Sequence, residues 1–459
     1  MDIAGQHALI LGLAREGVSL ARFLSKQGAL VTVTDSASPE RLKDQQHQAA
    51  GTARFVLGGD HPELVDGADL FFVSPGVPEE NAVYRAAIDR GLPVQSMTTL
   101  FFALCPAPIV GITGSSGKTT TTGLIGHMLR TEGLECVVGG NIGAPMLDLL
   151  PQISSRTNVI LELSSFQLGL LRRSPHIAVV TNISPNHLDR HGTLEDYLSA
   201  KRHIIRYQVE SDVAMFNAGD AEVAAWRRHT TAQLRWFGQS GVHGTGATVR
   251  DGQAGLLRGE RFEPVLPVAD VPLLGAHNLE NVLAALATTD VLGVAPATMA
   301  AAVRTFQPAA HRLQTVGEYG GVRYVDDSIA TSPARAQVAL QAMSAPVVLI
   351  AGGRDKRLPW TEFARAVVHT VRSLILIGES ASQIEDTVRG FLDEPGALLH
   401  PDAIYRCTSL HQAVEQASRV AQAGDVVLLA PACTSYDMFG NFEERGDNFS
   451  RAVELLSAA

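Results

Sequence analysis

One theme repeated along the chain constrains its fold more than anything else: a short apolar, β-branched run, then a glycine or polar turn, then a helical pattern. Near the N-terminus the runs Ala8-Leu9-Ile10-Leu11, Leu30-Val31-Thr32-Val33 and Leu70-Phe71-Phe72-Val73 read as buried strands, with amphipathic stretches such as Glu16 to Gln27 between them. Ile109-Val110-Gly111-Ile112, Val159-Ile160-Leu161 and Ile177-Ala178-Val179-Val180 continue the theme. Val322 to Val325, Val347 to Ile350, Leu374 to Ile377 and Val426 to Leu429 carry it to the end. Strands that alternate with helices pair in parallel, because a helix-length crossover returns the chain to the same end of the sheet. The expectation is therefore an α/β protein. Its 459 residues, at roughly 150 per domain, suit about three domains. Cys105-Pro106-Ala107-Pro108 reads as the entry to the second and Gln307-Pro308 as the start of the third. The glycine-rich stretch Gly238 to Gly259 reads as hairpins and loops decorating the central domain.

Composition removes several classes. Hydrophobic residues make 46% and charged residues 18%, ample for packed cores. Lys+Arg is 37 against Asp+Glu 47, a net charge of −10, which argues against nucleic-acid or membrane-surface partners. Cys105, Cys136, Cys407 and Cys433 lie far apart without CxxC spacing, so neither a disulfide framework nor a structural zinc site is expected. The opening Met1-Asp2-Ile3-Ala4-Gly5-Gln6 lacks a basic n-region, and no long apolar run follows. A soluble, cytoplasmic protein is expected.

The strongest motif is Thr113-Gly114-Ser115-Ser116-Gly117-Lys118-Thr119, set between a strand and a helix. Backbone amides of such a loop and of the helix N-terminus converge on phosphates, while the lysine neutralises their charge and the Thr119 hydroxyl suits Mg²⁺. Ile112 stands where the usual loop has its first glycine, so this is a variant, T-G-x-x-G-K-T. Gly12-Leu13-Ala14-Arg15-Glu16-Gly17, with Asp35 ending the next strand, resembles a dinucleotide turn with alanine in its middle glycine position. A tight structural turn is its alternative. Glu162 closes the apolar run Val159 to Leu161, where parallel sheets bind ligands, and is placed to hold Mg²⁺ or polarise a water. In Asn182 to His191, His187 is a candidate metal ligand with Asp189 orienting it, against the alternative of a surface histidine. Leu194, Tyr197, Leu198, Ile204 and Ile205 share one helical face, and Lys201 lies within that stripe. An amine there must find a partner, lose its proton, be modified, or snorkel to the edge. Asp326 to Thr331, Gly352 to Lys356 and Ala432 to Tyr436 each follow a strand and suggest one concave site.

Together these residues resemble the Mur ligases, nearly end to end. The likeness rests on Ser74-Pro75-Gly76, the Lys118 loop, Gly140-Asn141-Ile142-Gly143, Glu162-Leu163-Ser164-Ser165-Phe166-Gln167-Leu168 and His187-Leu188-Asp189-Arg190. It continues through Ala200-Lys201, His277 to Asn281, His311-Arg312, Pro431-Ala432-Cys433 and Asn441-Phe442-Glu443-Glu444-Arg445-Gly446. The stretch around Phe166 and the closing Asn441 to Gly446 favour the members that add D-glutamate. The resemblance implies an ATP-driven amide ligase, acting on UDP-N-acetylmuramoyl-L-alanine and D-glutamate in peptidoglycan precursor synthesis. It implies a Rossmann-like domain over 1–97 for the UDP substrate and a central P-loop ATPase-type domain over 98–306. A C-terminal Rossmann-like domain over 307–459 would receive the amino acid. By position, Leu13, Ala14, Arg15, Asp35, Ser36, Gly76 and Asn141 would approach the UDP substrate. Gly114, Ser115, Ser116, Gly117, Lys118, Thr119 and Thr120 would bind ATP phosphates, with Asn278, Asn281, Arg312 and Asp327 as further nucleotide contacts. Thr119 and Glu162 would serve one Mg²⁺, and His187 with a CO₂-derived carbamate on Lys201 a second; Lys118, Glu162, His187 and Lys201 are the expected catalytic groups. Thr331, Lys356, Ser435 and Phe442 would receive D-glutamate, and the enzyme is expected to be a monomer.

Two positions depart from the pattern. Ile329 stands in Asp327-Ser328-Ile329-Ala330-Thr331 where the family usually has a nucleotide-side lysine, and Ala37 stands where some members have an arginine near the uridine diphosphate. Two other readings stay open from sequence: a nicotinamide-dependent oxidoreductase built on Gly12 to Asp35, and a P-loop switch that hydrolyses ATP slowly for a partner.

Overall fold

The computed structural model describes residues 3–185, 188–273, 275–307, 310–356 and 358–456, and within these the chain forms three sheets. They divide between two compact units, Met1–Pro272 with His277–Phe306, and Leu273–Ala276 with Gln307–Ala459.

The first sheet is wholly parallel, in the order Arg54–Leu57, Leu30–Asp35, His7–Leu11, Leu70–Val73, Val94–Gln95. Its chain order reverses beside His7–Leu11, so the turns after His7–Leu11 and Leu70–Val73 flank the crevice where such sheets bind ligands. Gly12 adopts φ +102°, and a Cβ there would press on the Ser74 side chain, whose hydroxyl donates to the Gly12 carbonyl at 3.1 Å. That close approach is what the glycine permits.

The central sheet runs Arg261–Pro267, Gln253–Arg258, Thr245–Arg250, Gln233–Phe237, Val213–Asn217, Ile177–Val180, Ile109–Thr113, Asn158–Glu162, Cys136–Gly140. From Gln233–Phe237 to Cys136–Gly140 it is parallel. The stretch read as hairpins and loops supplies a hairpin, Thr245–Arg250 with Gln253–Arg258, whose antiparallel strands lengthen this sheet. Its alanines and glycines have little strand propensity of their own. Pairing and the burial of Ala247, Ala254, Leu256 and Leu257 decide the conformation.

The first and central sheets share one apolar core, continuous from Ile10, Val33 and Phe72 through Phe101 and Ile109 to Leu161 and Phe216. Polar ties cross between them. The Arg15 guanidinium donates to the Gly143 carbonyl at 2.7 Å, the Ser19 hydroxyl to Asp148 at 2.9 Å, and the Gln167 amide to the Glu16 carboxylate at 2.9 Å. The second unit holds the third sheet, ordered Gln314–Tyr319, Val322–Asp326, Val426–Leu429, Val347–Gly352, Val371–Ile377, Ile404–Arg406. Only the Gln314–Tyr319 edge is antiparallel.

Burial pushes the Glu16 carboxyl above the ordinary carboxylate range, and the Gln167 hydrogen bond and Arg15 pull it back. Gln167→Leu removes that donor from a buried carboxylate and is expected to cost about 1–3 kcal/mol. The check is hydrogen exchange along the helix Arg15–Lys26; unchanged protection there would refute the tie.

Candidate active site

The loop that follows the strand Ile109–Thr113 is shaped by its two glycines. Gly114 (φ +152°) and Gly117 (φ +79°) lie where side chains are strained, and a Cβ would strike Thr181 Oγ1 at the first and Asn281 Oδ1 at the second. The neighbouring strand end holds the loop from outside. Asn182 Oδ1 accepts from the Ser116 amide and hydroxyl, each at 3.0 Å, and Thr181 Oγ1 donates to the Ser116 carbonyl at 2.7 Å. The helix Lys118–Glu132 begins directly after, so its free N-terminal amides face the same space. Lys118 Nζ donates to the carbonyls of Gly114 at 2.9 Å and Ser115 at 3.4 Å.

Sheet register brings the rest together. Ile112 pairs with Glu162, which puts the Glu162 carboxylate at the loop end of the next strand, 2% exposed. Its Oε2 accepts from the Thr119 hydroxyl at 2.7 Å and its Oε1 from the Asn141 amide at 2.8 Å. A carboxylate and a hydroxyl at the foot of a phosphate loop form an oxygen donor pair suited to Mg²⁺, which completes its shell with phosphates and waters. Asn141, expected at the UDP substrate, thus holds Glu162.

Lys201 lies on the helix Leu194–Arg206, whose buried face carries Tyr197, Leu198, Ile204 and Ile205; Leu194, assigned to that face from sequence, is exposed. The Lys201 amine is 2% exposed and does not snorkel. It donates to Thr113 Oγ1 at 3.2 Å and to the Gly114 carbonyl at 2.9 Å, and lies 5.0 Å from the centre of the Tyr197 ring. Burial pushes it well below the ordinary lysine range; nearby Lys118 adds to the shift and Glu162 opposes it. Sequence reasoning gave Tyr197 only a core role, yet its hydroxyl meets the Ser115 hydroxyl at 2.8 Å and so touches the loop. His187 lies outside the described residues. Asn278 and Asn281 are buried on the helix Ala276–Val291, joined by an Asn281-to-Asn278 bond of 3.0 Å, with Asn281 backing the loop at Gly117 and accepting from Thr121 at 3.3 Å. At the first sheet, the Asp35 carboxylate accepts from the backbone amides of Leu13 at 2.8 Å and Ala37 at 2.9 Å, which shapes the turn holding Ala14 and Arg15. Ser36 and Gly76 are exposed, and Arg190 donates to the Gly76 carbonyl at 2.6 Å.

In the second unit, the clusters after Val322–Asp326, Val347–Gly352 and Val426–Leu429 emerge at the same end of three adjacent parallel strands. One residue the sequence reading did not single out ties the first of these to the last. Arg445, 1% exposed, donates from Nε to Ser328 Oγ at 3.0 Å and from Nη2 to the carbonyls of Ser328 at 2.9 Å and Cys433 at 3.1 Å. Burial lowers its guanidinium to about 10. The signal available was an arginine inside the quoted stretch Asn441 to Gly446. Lys356 Nζ donates to Thr331 Oγ1 at 3.1 Å, Ser435 is buried, and Phe442 opens the helix Phe442–Leu456 with its ring edge-on to His311. The four cysteines are free thiols, and no helix is long and apolar enough to cross a membrane among the described residues.

A glycine-shaped loop at a helix N-terminus, a carboxylate on its threonine and a buried amine above it form an arrangement on an α/β sheet that suits a nucleotide's phosphates. Comparison with known proteins narrows this. The Mur ligase MurD-like N-terminal domain matches residues 6–96, the Mur ligase middle domain 112–289, and the Mur ligase glutamate ligase domain 311–433. The UDP-N-acetylmuramoylalanine--D-glutamate ligase of Symbiobacterium thermophilum is 42% identical, over 98% of both chains. Its counterpart from Acetivibrio thermocellus is 38% identical over 99% of this chain and 98% of its own. The UDP-N-acetylmuramate-alanine ligase of Thermotoga maritima shares the fold, with a TM-score of 0.59 at 19% identity, over 99% of this chain and 100% of that one. The chain belongs to the Mur ligase family.

Asp327 accepts from the Leu313 amide at 3.0 Å, and burial raises its carboxyl to about 7, with Asp326 adding to the rise and Arg312 and Arg335 opposing it. Its folded value exceeds the unfolded one, so the folded chain binds the extra proton between about pH 4 and pH 7 and loses that stabilisation as pH rises. A ¹³C-carboxyl titration is expected to give a midpoint near 7 for Asp327, and an ordinary carboxylate midpoint would overturn this.

Proposed function

We propose that the chain joins D-glutamate to UDP-N-acetylmuramoyl-L-alanine, with ATP activating the substrate carboxylate as an acyl phosphate. The observation that carries this reading is the Thr119 hydroxyl, 2.7 Å from a buried Glu162 carboxylate at the foot of the phosphate loop. The near-full-length likeness to D-glutamate ligases supports the choice of amino acid.

A free carboxylate is a poor electrophile. Its oxygen attacks the γ-phosphorus and ADP leaves with the bridging electron pair; the amine of D-glutamate then attacks the acyl carbon, phosphate departs, and the nitrogen gives up its surplus proton. The loop amides from Gly114 to Thr120 hold the phosphates, which offer Lys118 a stronger partner than the two carbonyls it now meets. Thr119 and Glu162 are the residues that would hold one Mg²⁺, and bound there it neutralises charge on the transferring phosphoryl oxygens. His187 and a carbamylated Lys201 would serve a second. Leu13, Ala14, Arg15, Asp35, Ser36 and Gly76, around the crevice of the first sheet, suit the UDP end, with Asn141 beyond them. Asn278, Asn281, Arg312 and Asp327 are assigned to the nucleotide, and Thr331, Lys356, Ser435 and Phe442 to D-glutamate. Every proposed group comes from one chain, which suits a monomer, and these substrates suit the cytoplasm. A net charge of −10 fits the absence of a nucleic-acid partner.

The test is phosphate release from ATP with the UDP-muramoyl substrate present. D-glutamate is expected to support turnover far better than D-alanine or meso-diaminopimelate. Equal rates with diaminopimelate, or release independent of any amino acid, would sink the reading.

Lys201 generates a second expectation. Burial, with Lys118 adding to it, favours the neutral form of its amine, which is nucleophilic toward CO₂, and a carbamate formed there is an oxygen ligand suited to Mg²⁺. Carbamate oxygens would be repelled by the Gly114 carbonyl that the amine now meets, so the modified side chain turns away from it. Lys201→Ala is expected to lose most activity and to regain part of it with added formate or acetate. Electron density ending at Nζ in bicarbonate, with a near-normal variant, would return Lys201 to a structural role.

A further inference from the structure

Several guanidinium groups around the third sheet are matched to carboxylates: Arg354 to Glu379, Arg365 to Glu394, Arg372 to Asp425, and Arg389 and Arg406 to Glu385. Arg312 and Arg335, which both face Asp327, are not. Among the described residues neither forms an ion pair, and the Arg312 Nε is buried without a hydrogen-bond partner. The Arg335 side chain makes one long hydrogen bond, from Nη1 to the Ile329 carbonyl at 3.4 Å. Each guanidinium acts electrostatically on Asp327; Arg335 is exposed at the surface, and partial desolvation followed by the charge of Arg312 pulls it below the ordinary arginine range. The one carboxyl they share is raised to about 7, so near neutral pH it offsets only part of one positive charge. Two cations are thus gathered at the C-terminal end of the parallel strand Val322–Asp326, where α/β sheets take ligands.

The sequence explains why the second cation comes from here. Ile329 replaces the family's nucleotide-side lysine. Arg335 sits in the first turn of the helix Pro333–Gln341. Side chains in a first turn lean back toward the N-terminus, which carries the guanidinium to the backbone of residue 329. Its planar fork of donors matches phosphate oxygens better than an ammonium does.

We propose that Arg335, beside Arg312, binds a phosphate group of the nucleotide and supplies the cation that position 329 lacks. This rests on the reading of Arg312 and Asp327 as nucleotide-side residues. Arg335→Gln is expected to raise the KM for ATP, and the Kd for ADP by calorimetry, about tenfold, as for loss of one charge-assisted contact. The KM for D-glutamate should stay within about twofold, because that contact lies elsewhere. Ile329→Lys added to Arg335→Gln returns a cation to the same corner and is expected to bring ADP affinity back to within about threefold of the starting protein. If Arg335→Gln lowers the melting temperature, Arg335→Lys decides instead: it keeps the charge and is expected to keep most of the ADP affinity. Unchanged ATP and ADP values, a shift in the D-glutamate KM instead, or no recovery with lysine would overturn the proposal. Because ADP binding needs no amino acid, a protein inactive with D-glutamate would refute the functional reading while calorimetry still decides on Arg335.

Discussion

Two ionisable groups, Glu162 and Lys201, are each held almost wholly out of water at the loop end of the central sheet, and much of the local architecture exists to make that tolerable. A buried charge or polar head must be partnered. Thr119 and Asn141 partner the carboxylate; Thr113, the Gly114 carbonyl and the Tyr197 ring partner the amine. These partners come from two strand ends, the start of a helix and a separate helix face. A shift of one residue in the pairing of Ile112 with Glu162 would turn that carboxylate to the other side of the sheet. The site is therefore tied to the register of the sheet.

The same logic links the first two sheets. A helix that starts at Arg15 serves the turn of the first sheet and at once donates to Gly143, while Glu16 takes its partner from Gln167, whose backbone continues from the Glu162 strand. In the second unit a single buried guanidinium, Arg445, does comparable work for two strand-end clusters, at Ser328 and Cys433. In both units strand ends present polar groups that cannot satisfy one another locally, and a long side chain from elsewhere closes the gap. The ends that carry cations, at Lys118 and at Arg312 with Arg335, are the ones we propose meet an anionic nucleotide.

Much of this was legible in the chain. Apolar runs followed by turns located central strands in each of the three sheets, and spacing alone put Lys118 and Thr119 after a strand and Lys201 on an apolar helix face. What escaped had physical causes. The stretch read as hairpins and loops holds Thr245–Arg250 and Gln253–Arg258, whose small residues have little intrinsic preference, so their place in the central sheet shows only in the pairing. Arg445 looks like any charged residue near a helix start until its burial is seen. Asn141 and Asn281 are amides with partners far along the chain, at Glu162 and Thr121, and a sequence carries no sign of which partner an amide will meet.

By itself the sequence determined the parallel α/β class, the phosphate loop, and an amine within an apolar helix stripe that had to find a partner, lose its proton, be modified or snorkel to the edge. These follow from periodicity and from the glycines, which are local properties of the chain. Only the tertiary structure decided that Glu162 shares its oxygens between Thr119 and Asn141, that Lys201 turns to Gly114, and that Arg335 stands over residue 329. Those outcomes depend on strand register and on which distant helix packs where. They are settled by burial over the whole unit and not by any one stretch of residues.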